Sequence, residues 1–144
     1  MNSHTSLRRR PRILVIDDDE MILEVYREVL EACGYRVSTC DSALDALHYF
    51  QTQPGAFVAI VTDYRMPELD GIRFASRLKA WGIALPPIFL VTGEPDVAAL
   101  LRPAQEAGIR AVLSKPISFF RLVDCLKSLD DDGDALTASD TRRT

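Results

Sequence analysis

Short apolar runs alternate with segments of helical periodicity along most of the chain. The apolar runs have the length of buried strands, and they lie at residues 12–17, 35–40, 56–62, 87–92 and 110–114. The other segments repeat apolar residues at helical spacing, and they lie at residues 20–34, 41–53, 71–82, 95–108 and 118–130. Strands that alternate with helices over short connections predict a parallel sheet with helices on both of its faces.

The character of individual runs predicts where their strands lie in the sheet. Residues 56–62 are almost continuously apolar, as in a central strand that is covered on both faces. Residues 35–40 are polar at alternate positions, which favours a place near the edge. Because crossovers between parallel strands are right-handed, helices reach both faces only if the winding order reverses. The sequence therefore predicts an open, doubly wound α/β sheet of five strands.

Two helical segments carry predictions that a structure can test. In residues 20–34, Ile22, Val25 and Val29 share one helical face, and we expect that face to pack on the sheet. In residues 95–108, Pro103 lacks the amide hydrogen that an interior helical residue donates. We therefore expect a kink or a break at Pro103.

Composition narrows the class of protein. The 144 residues are 47% hydrophobic and 26% charged, which is typical of one soluble globular domain. The net charge of −4 does not favour nucleic-acid binding, since domains that track phosphates are usually basic. The basic stretch RRRPR at residues 8–12 is the exception, and it is either a solvated arm or a nucleic-acid or membrane contact. No run of 18 apolar residues is present, so we expect no membrane span.

The ends of the chain and its cysteines add further expectations. We expect a disordered basic arm, a folded domain and a disordered, polar and acidic tail, at residues 1–10, 11–130 and 131–144. The cysteines are odd in number and widely spaced, so they predict neither a disulfide framework nor a zinc site. We expect Cys33 and Cys125 to be small core residues of a cytoplasmic protein, since the cytoplasm keeps thiols reduced.

Polar residues stand at the carboxyl ends of four predicted strands. Asp17 and Asp18 follow the first strand, Asp63 the third, Thr92 the fourth and Lys115 the fifth. In doubly wound sheets, ligands bind outside these strand ends, where the winding order reverses. Taken singly, each residue has an ordinary explanation as a helix cap, a turn residue or a surface lysine. Their recurrence on successive strand ends favours one shared site.

The charges of this set predict its ligand. Asp17, Asp18 and Asp63 repel one another when ionised, and at least one would titrate upward without compensation. A divalent cation and Lys115 together would balance the three negative charges. The ligands are oxygens, with no His or Cys among them, which suits Mg²⁺ and its affinity for phosphate oxygens. The residues thus predict a magnesium site that receives a phosphate-like group.

Four stretches of the chain resemble the receiver domain of two-component response regulators. They are ILVIDDDE, IVTDYRMPELDG, IFLVTG and AVLSKP, which occur in the family's order within residues 11–129. The second stretch is the most specific of the four. The resemblance implies a flavodoxin-like (βα)5 fold, which is a doubly wound parallel sheet of five strands in the order 2-1-3-4-5.

The resemblance also implies roles for the acidic residues. Asp63 would accept a phosphoryl group from a phosphohistidine, as a carboxylate nucleophile that forms a mixed anhydride. Asp17, Asp18 and Asp63 would bind Mg²⁺ together with the backbone carbonyl of Arg65. The domain would not be an enzyme, and its only turnover would be slow self-dephosphorylation.

For the remaining rim residues, the resemblance implies phosphoryl contacts. Lys115 would pair with a phosphoryl oxygen, or with Asp63 before phosphorylation, and its peptide bond to Pro116 would be cis. Thr92 would donate its hydroxyl to the phosphoryl group, and the end of the fourth strand would shift toward it.

Partners follow from the same resemblance. The phosphodonor would be a histidine kinase or a histidine phosphotransfer protein, and phosphorylation would change binding to a downstream protein that the sequence does not identify. We expect no direct DNA binding and no membrane contact by this chain. A weak homodimer is left open.

The chain departs from the family pattern at two places. Val112 stands three residues before Lys115, where family members often have a Tyr or Phe whose rotamer follows phosphorylation. Arg65 and Glu94 lie two residues past Asp63 and Thr92, and we hypothesise that they form an ion pair over the mouth of the site.

Two other functions are compatible with parts of the pattern. One is an aspartate-nucleophile phosphohydrolase, but such enzymes usually have a second Asp two residues after the nucleophile, where this chain has Arg65. The other is a degenerate receiver that serves as a docking scaffold, which the complete set of rim residues argues against.

Overall fold

The computed structural model describes residues 10–129 of the chain. Its strands are β1 (Arg12–Ile16), β2 (Arg36–Cys40), β3 (Ala59–Asp63), β4 (Ile88–Thr92) and β5 (Ala111–Ser114). Its helices are α1 (Glu20–Ala32), α2 (Ala43–Thr52), α3 (Gly71–Ala80), α4 (Ala98–Glu106) and α5 (119–129). Each predicted strand and helix is present, with ends that differ by a few residues. The predicted tail, and the predicted arm apart from Arg10, lie outside the described residues.

All five strands of the described range are parallel and form one sheet in the order β2-β1-β3-β4-β5. This order confirms the predicted doubly wound, flavodoxin-like fold. β3 is central and has every residue buried, whereas β2 is an edge strand with exposed and half-buried positions. The chain winds one way from β1 to β2 and the other way from β3 to β5, so the winding reverses between β1 and β3.

The sheet separates two hydrophobic cores. Successive side chains of a strand point to opposite faces, so Leu14 joins one core and Val15 joins the other. The first core packs α2, α3 and α4 on the sheet and contains Phe50 and Phe74. The second packs α1 and α5 on the opposite face, where Tyr26 of α1 meets Phe119 edge-to-face at 5.4 Å between ring centroids.

The buried face of α1 is not the predicted one. Leu23, Tyr26 and Leu30 pack on the sheet, whereas Ile22 and Val25 remain 37% and 40% exposed. Both sets are spaced i, i+3, so periodicity alone does not separate them. Leu23, Tyr26 and Leu30 belong to the second core, and together they fill more of it than Ile22, Val25 and Val29 would. The prediction for Ile22 and Val25 is therefore wrong, although the helix itself is confirmed.

The fourth helix also differs from its prediction. It begins at Ala98 rather than at residue 95, and the Asp96 carboxylate accepts the Ala99 amide hydrogen at 3.2 Å. Pro103 lies inside the helix, which continues to Glu106, so the helix does not break there, and the alternative of a kink stays a prediction. The missing amide of Pro103 removes only the hydrogen bond to the Ala99 carbonyl, and the turns on either side retain theirs.

The cysteines and the hydropathy of the helices bear on two other predictions. Cys33 is exposed, because it is the C-cap residue of α1 and lies beyond the buried stripe of that helix. The prediction that Cys33 belongs to the core is wrong, and Cys125 is only half-buried. Across residues 10–129, none of the helices combines the length and the apolar character that crossing a membrane requires.

Candidate functional site

Three carboxylates meet at the carboxyl edge of the sheet. Asp17 and Asp18 directly follow β1, and Asp63 ends β3. Because β1 and β3 are parallel neighbours, with Ile16 aligned to Thr62, the residues that follow these strands lie side by side. One carboxylate oxygen from each of the three aspartates lies within 4.8 Å of the other two. Asp17 and Asp63 are buried, and Asp18 is exposed.

The electrostatics of this acidic cluster fit a cation. Burial raises the pKa of Asp17 to about 6, and the nearby charge of Asp63 contributes to the rise. The Asp19 amide, which donates to Asp17 Oδ1 at 2.9 Å, lowers this pKa but does not offset the burial. Three hard oxygen donors that repel one another and are partly desolvated are a donor set that Mg²⁺ accepts. The residues present therefore fit a divalent metal ion.

Lys115 is the fixed countercharge of the cluster. It follows β5, and its Nζ lies 2.7 Å from Asp63 Oδ1. Burial raises the pKa of Asp63, and the hydrogen bond from Lys115 lowers it without cancelling the rise. Burial lowers the pKa of Lys115, but the bond to Asp63 outweighs it, and the net direction is upward. This contact pairs Lys115 with Asp63, as the resemblance implied for the unphosphorylated site. The peptide bond between Lys115 and Pro116 is cis, as the resemblance implied.

Thr92 ends β4 beside Asp63. It is 1% exposed, and the register of β3 and β4 aligns Asp63 with Val91, one residue before it. Its hydroxyl oxygen accepts the Glu94 amide hydrogen at 3.0 Å, and its carbonyl accepts the Lys115 amide hydrogen at 2.8 Å. A hydroxyl that accepts one hydrogen bond still has its own hydrogen to donate. The Thr92 hydroxyl therefore retains a hydrogen to donate, at the end of the strand next to β3.

Backbone contacts of the loop after β3 fix the position of Asp63. The Tyr64 amide donates to the Val91 carbonyl, and the Gly71 amide donates to the Tyr64 carbonyl, each at 2.8 Å. A Cβ atom at Gly71 would lie 2.4 Å from the Asp63 carbonyl oxygen, so only glycine allows α3 to begin this close to the strand. Asp70 caps α3 by accepting the Arg73 amide hydrogen at 2.8 Å. The Asp-Gly step of the motif thus fixes the backbone around Asp63.

Arg65 and Glu94 form the predicted ion pair across the mouth of the site, and the Arg65 guanidinium also lies 5.4 Å from the centre of the Tyr64 ring. The Arg65 side chain is 74% exposed and that of Glu94 is 26% exposed.

Two contacts at the site were not predicted from the sequence, namely that of Arg65 with the Tyr64 ring and that of the Asp19 amide with Asp17. Asp19 was recognisable as a helix cap, since an Asp before a helical segment is a frequent N-cap. The Arg65 backbone carbonyl remains a predicted metal ligand.

Comparison with known proteins agrees with this geometry. A parallel five-stranded sheet with an acidic cluster, a lysine and a threonine at its carboxyl edge defines an α/β domain built to handle phosphoryl groups. Residues 13–127 match the model of the response regulator receiver domain. The chain belongs to this family.

Similar proteins span several kinds of organism. The chain is 35% identical over 117 residues to the transcriptional regulatory protein FixJ of Bradyrhizobium diazoefficiens, covering 81% of this chain and 55% of FixJ. It is 34% identical over 121 residues to ZraR of Salmonella typhimurium, covering 84% and 26%. It is 28% identical over 107 residues to the response regulator ARR11 of Arabidopsis thaliana, covering 74% and 20%. The chain thus spans between a fifth and about half of the length of these relatives.

Solved structures support the fold. A response regulator receiver domain from Clostridium thermocellum superimposes with a TM-score of 0.78 at 26% identity, covering 88% of this chain and 99% of that one. The chemotaxis protein CheY4 of Vibrio cholerae superimposes with a TM-score of 0.74 at 24% identity, covering 83% and 98%, and this likeness concerns the fold alone.

Family membership decides the broad function. The chain is a phosphoacceptor signalling module of two-component systems. It is a signalling domain and not an enzyme in the ordinary sense. The phosphohydrolase and the docking scaffold are not favoured.

Proposed function

We propose that Asp63 accepts a phosphoryl group from a phosphohistidine while Asp17, Asp18 and Asp63 hold Mg²⁺. The observation that carries this proposal is the convergence of three carboxylates and Lys115 on one partly buried cluster at the strand ends. When bound, Mg²⁺ would supply positive charge beside the transferring oxygens. The Arg65 backbone carbonyl is our candidate for a fourth protein ligand of the metal.

The protein residues that would take part in the transfer, beside the metal ion, are Asp63, Lys115 and Thr92. A carboxylate oxygen of Asp63 attacks phosphorus, and the phosphorus–nitrogen bond to the donor histidine breaks. The electron pair of that bond stays on the imidazole nitrogen, which takes a proton from solvent. Lys115 then exchanges part of its contact with Asp63 for a phosphoryl oxygen, and Thr92 donates its hydroxyl hydrogen to another. Both contacts act on charge that grows on the phosphoryl group during transfer.

We propose that phosphorylation is read through the end of β4. Thr92 lacks a phosphoryl partner before transfer and gains one afterwards, which biases the strand end toward Asp63. Val112 is half-buried on β5 and has no aromatic ring to rotate. The downstream partner would therefore recognise a backbone shift of the loop after β4 rather than an aromatic rotamer. We place the domain in the cytoplasm, where its three thiols stay reduced.

The function is tested by phosphorylation with a small donor. The full chain is incubated with acetyl phosphate, with Mg²⁺ or with EDTA, and its intact mass is measured. We expect the mass of one added phosphoryl group in the presence of Mg²⁺, and none in Asp63→Asn or in EDTA. Asp124→Asn, which alters an exposed carboxylate on α5, serves as the matched control and should be phosphorylated normally. Modification of Asp63→Asn to the wild-type extent would overturn the assignment.

The slow self-dephosphorylation expected of the module is measured in the same preparation. After removal of the donor, the decay of the phosphorylated mass gives its lifetime. Sustained hydrolysis of a small phosphate ester at many turnovers per minute would instead favour a phosphohydrolase.

A further inference from the structure

An open apolar groove lies at the amino-terminal edge of the sheet, opposite the carboxylate cluster. It has a volume of about 530 Å³ and runs across the starts of β3, β4 and β5. Its lining comes from the loop after α2, the loop after α3 and the end of α5, and includes Phe57, Val58, Pro86, Pro87, Arg110 and Leu129. Val58 is 43% exposed, although Phe57 beside it is buried. The groove is thus an apolar surface that the described residues leave accessible.

The charge of this groove is basic. Within residues 10–129, the side chains that line it include Arg110 and no Asp or Glu. Arg12 adjoins it, because the Val58 amide donates to the Arg12 carbonyl at 2.9 Å. Arg36 begins the neighbouring edge strand. Arginines therefore stand at or before the start of three strands, and the groove favours an occupant that combines negative charge with an apolar group.

The chain itself supplies such a segment beside the groove. Leu129, the last described residue of α5, lines the groove. The residues that follow it are DDDGDAL at positions 130–136, with four carboxylates and then a leucine. Seven extended residues reach roughly 23 Å. That length is enough to cross the groove from the end of α5 toward β3.

We propose that residues 130–136 bind in this groove, with their carboxylates facing Arg12 and Arg110 and with Leu136 covering Val58. The direct tether at Leu129 gives the segment an effective concentration in the millimolar range, which favours it over a free ligand of the same chemistry. The contact would tie the end of α5 to the loops on the other face of the sheet. It concerns the edge opposite Asp63 and does not depend on phosphorylation.

The test uses chymotryptic cleavage after Leu136 in the full chain, followed by mass spectrometry. With millimolar effective concentration, a segment affinity of a few tenths of a millimolar would protect Leu136 about fivefold. Val58→Asp places a carboxylate in the groove and should remove this protection. Leu44→Asp is the matched control, since Leu44 is also 43% exposed but lies at the start of α2 on the opposite edge. It should leave the cleavage rate unchanged.

A second variant keeps the groove intact. Replacement of the four aspartates at 130, 131, 132 and 134 by asparagine should speed cleavage after Leu136 and shift the Val58 methyl resonances in NMR spectra. Addition of 0.5 M NaCl to the wild type should act in the same direction, because salt screens the charge pairing. Equal cleavage rates in wild type and both groove and tail variants would overturn the proposal. Protection that rises with protein concentration would also overturn it, since a second copy would then be the occupant.

Discussion

Removing the charge of Asp17 should stabilise the metal-free protein at neutral pH. Asp17 is 3% exposed and faces Asp63 and Asp18. Its pKa rises from the ordinary 3.8 to about 6 in the folded chain. Each pKa unit corresponds to about 1.4 kcal/mol, so ionised Asp17 costs the folded state about 3 kcal/mol above pH 6. Asp17→Asn removes this cost, and its amide oxygen can still accept the Asp19 amide hydrogen.

The sign of the pH dependence follows from proton counting. Between pH 3.8 and about 6, the folded chain binds more protons at Asp17 than the unfolded chain does. The free energy of unfolding therefore falls as the pH rises through this window. Below pH 3.8 the carboxyl is protonated in both states, so wild type and variant should be similar there. Above pH 6 the variant should be more stable by up to about 3 kcal/mol.

Urea unfolding in EDTA at pH 4 and at pH 7.5 measures this difference. The fluorescence of Trp81, the single tryptophan of the chain, follows the transition. Mg²⁺ should raise the stability of the wild type at pH 7.5 and have little effect on Asp17→Asn, because a ligand that binds only the folded state adds to its stability. Asp124→Asn controls for removal of an exposed carboxylate. A variant that is no more stable than the wild type at pH 7.5, or equally stabilised at both pH values, would refute the reasoning.

Three further changes test the rest of the site. Arg65→Ala should shorten the phosphoryl lifetime, because the Arg65–Glu94 pair would no longer restrict the approach of water, and an unchanged lifetime discards the idea that this pair shields the site. Gly71→Ala should lower the free energy of unfolding by about 2 kcal/mol or more in urea titrations, because its Cβ would meet the Asp63 carbonyl oxygen, whereas Gly55→Ala has open space and should be neutral. Lys115→Ala should slow phosphorylation of Asp63 by acetyl phosphate at least tenfold, and an unaltered rate would remove Lys115 from the transfer step.

The convergence of the site could be predicted from sequence because it depends on topology. Parallel strands with right-handed crossovers present their carboxyl ends at one edge, so Asp17 and Asp63 had to be neighbours once β1 and β3 were. The Arg65–Glu94 contact was predictable for the same reason, since each residue lies two positions past the end of neighbouring strands β3 and β4. Such predictions need only strand order and register.

Features that depend on packing were not predictable in this way. In α1, Leu23 and Ile22 belong to stripes of equal spacing, and the choice between them is made by how the side chains fill the space against β1 and α5. Cys33 stands where the helix has turned away from the core. The raised pKa of Asp17 depends on desolvation, which requires knowing which atoms cover the carboxylate. The sequence specifies the order of the elements more directly than the rotation of each helix.

Glu94 contacts both Thr92 and Arg65, and these contacts bear on how a chain with Val112 instead of an aromatic residue could respond to phosphorylation. Its amide holds the Thr92 hydroxyl oxygen, and its carboxylate holds Arg65 at the mouth of the site. A Thr92 side chain that turns toward a phosphoryl group must either release the Glu94 amide or carry the residue along. In the second case the Arg65–Glu94 pair would change its geometry together with the end of β4. We therefore infer that this chain, with Val112 in place of an aromatic, has in the Arg65–Glu94 pair a side-chain element that would respond to the state of Asp63, and Arg65 lies exposed at the surface.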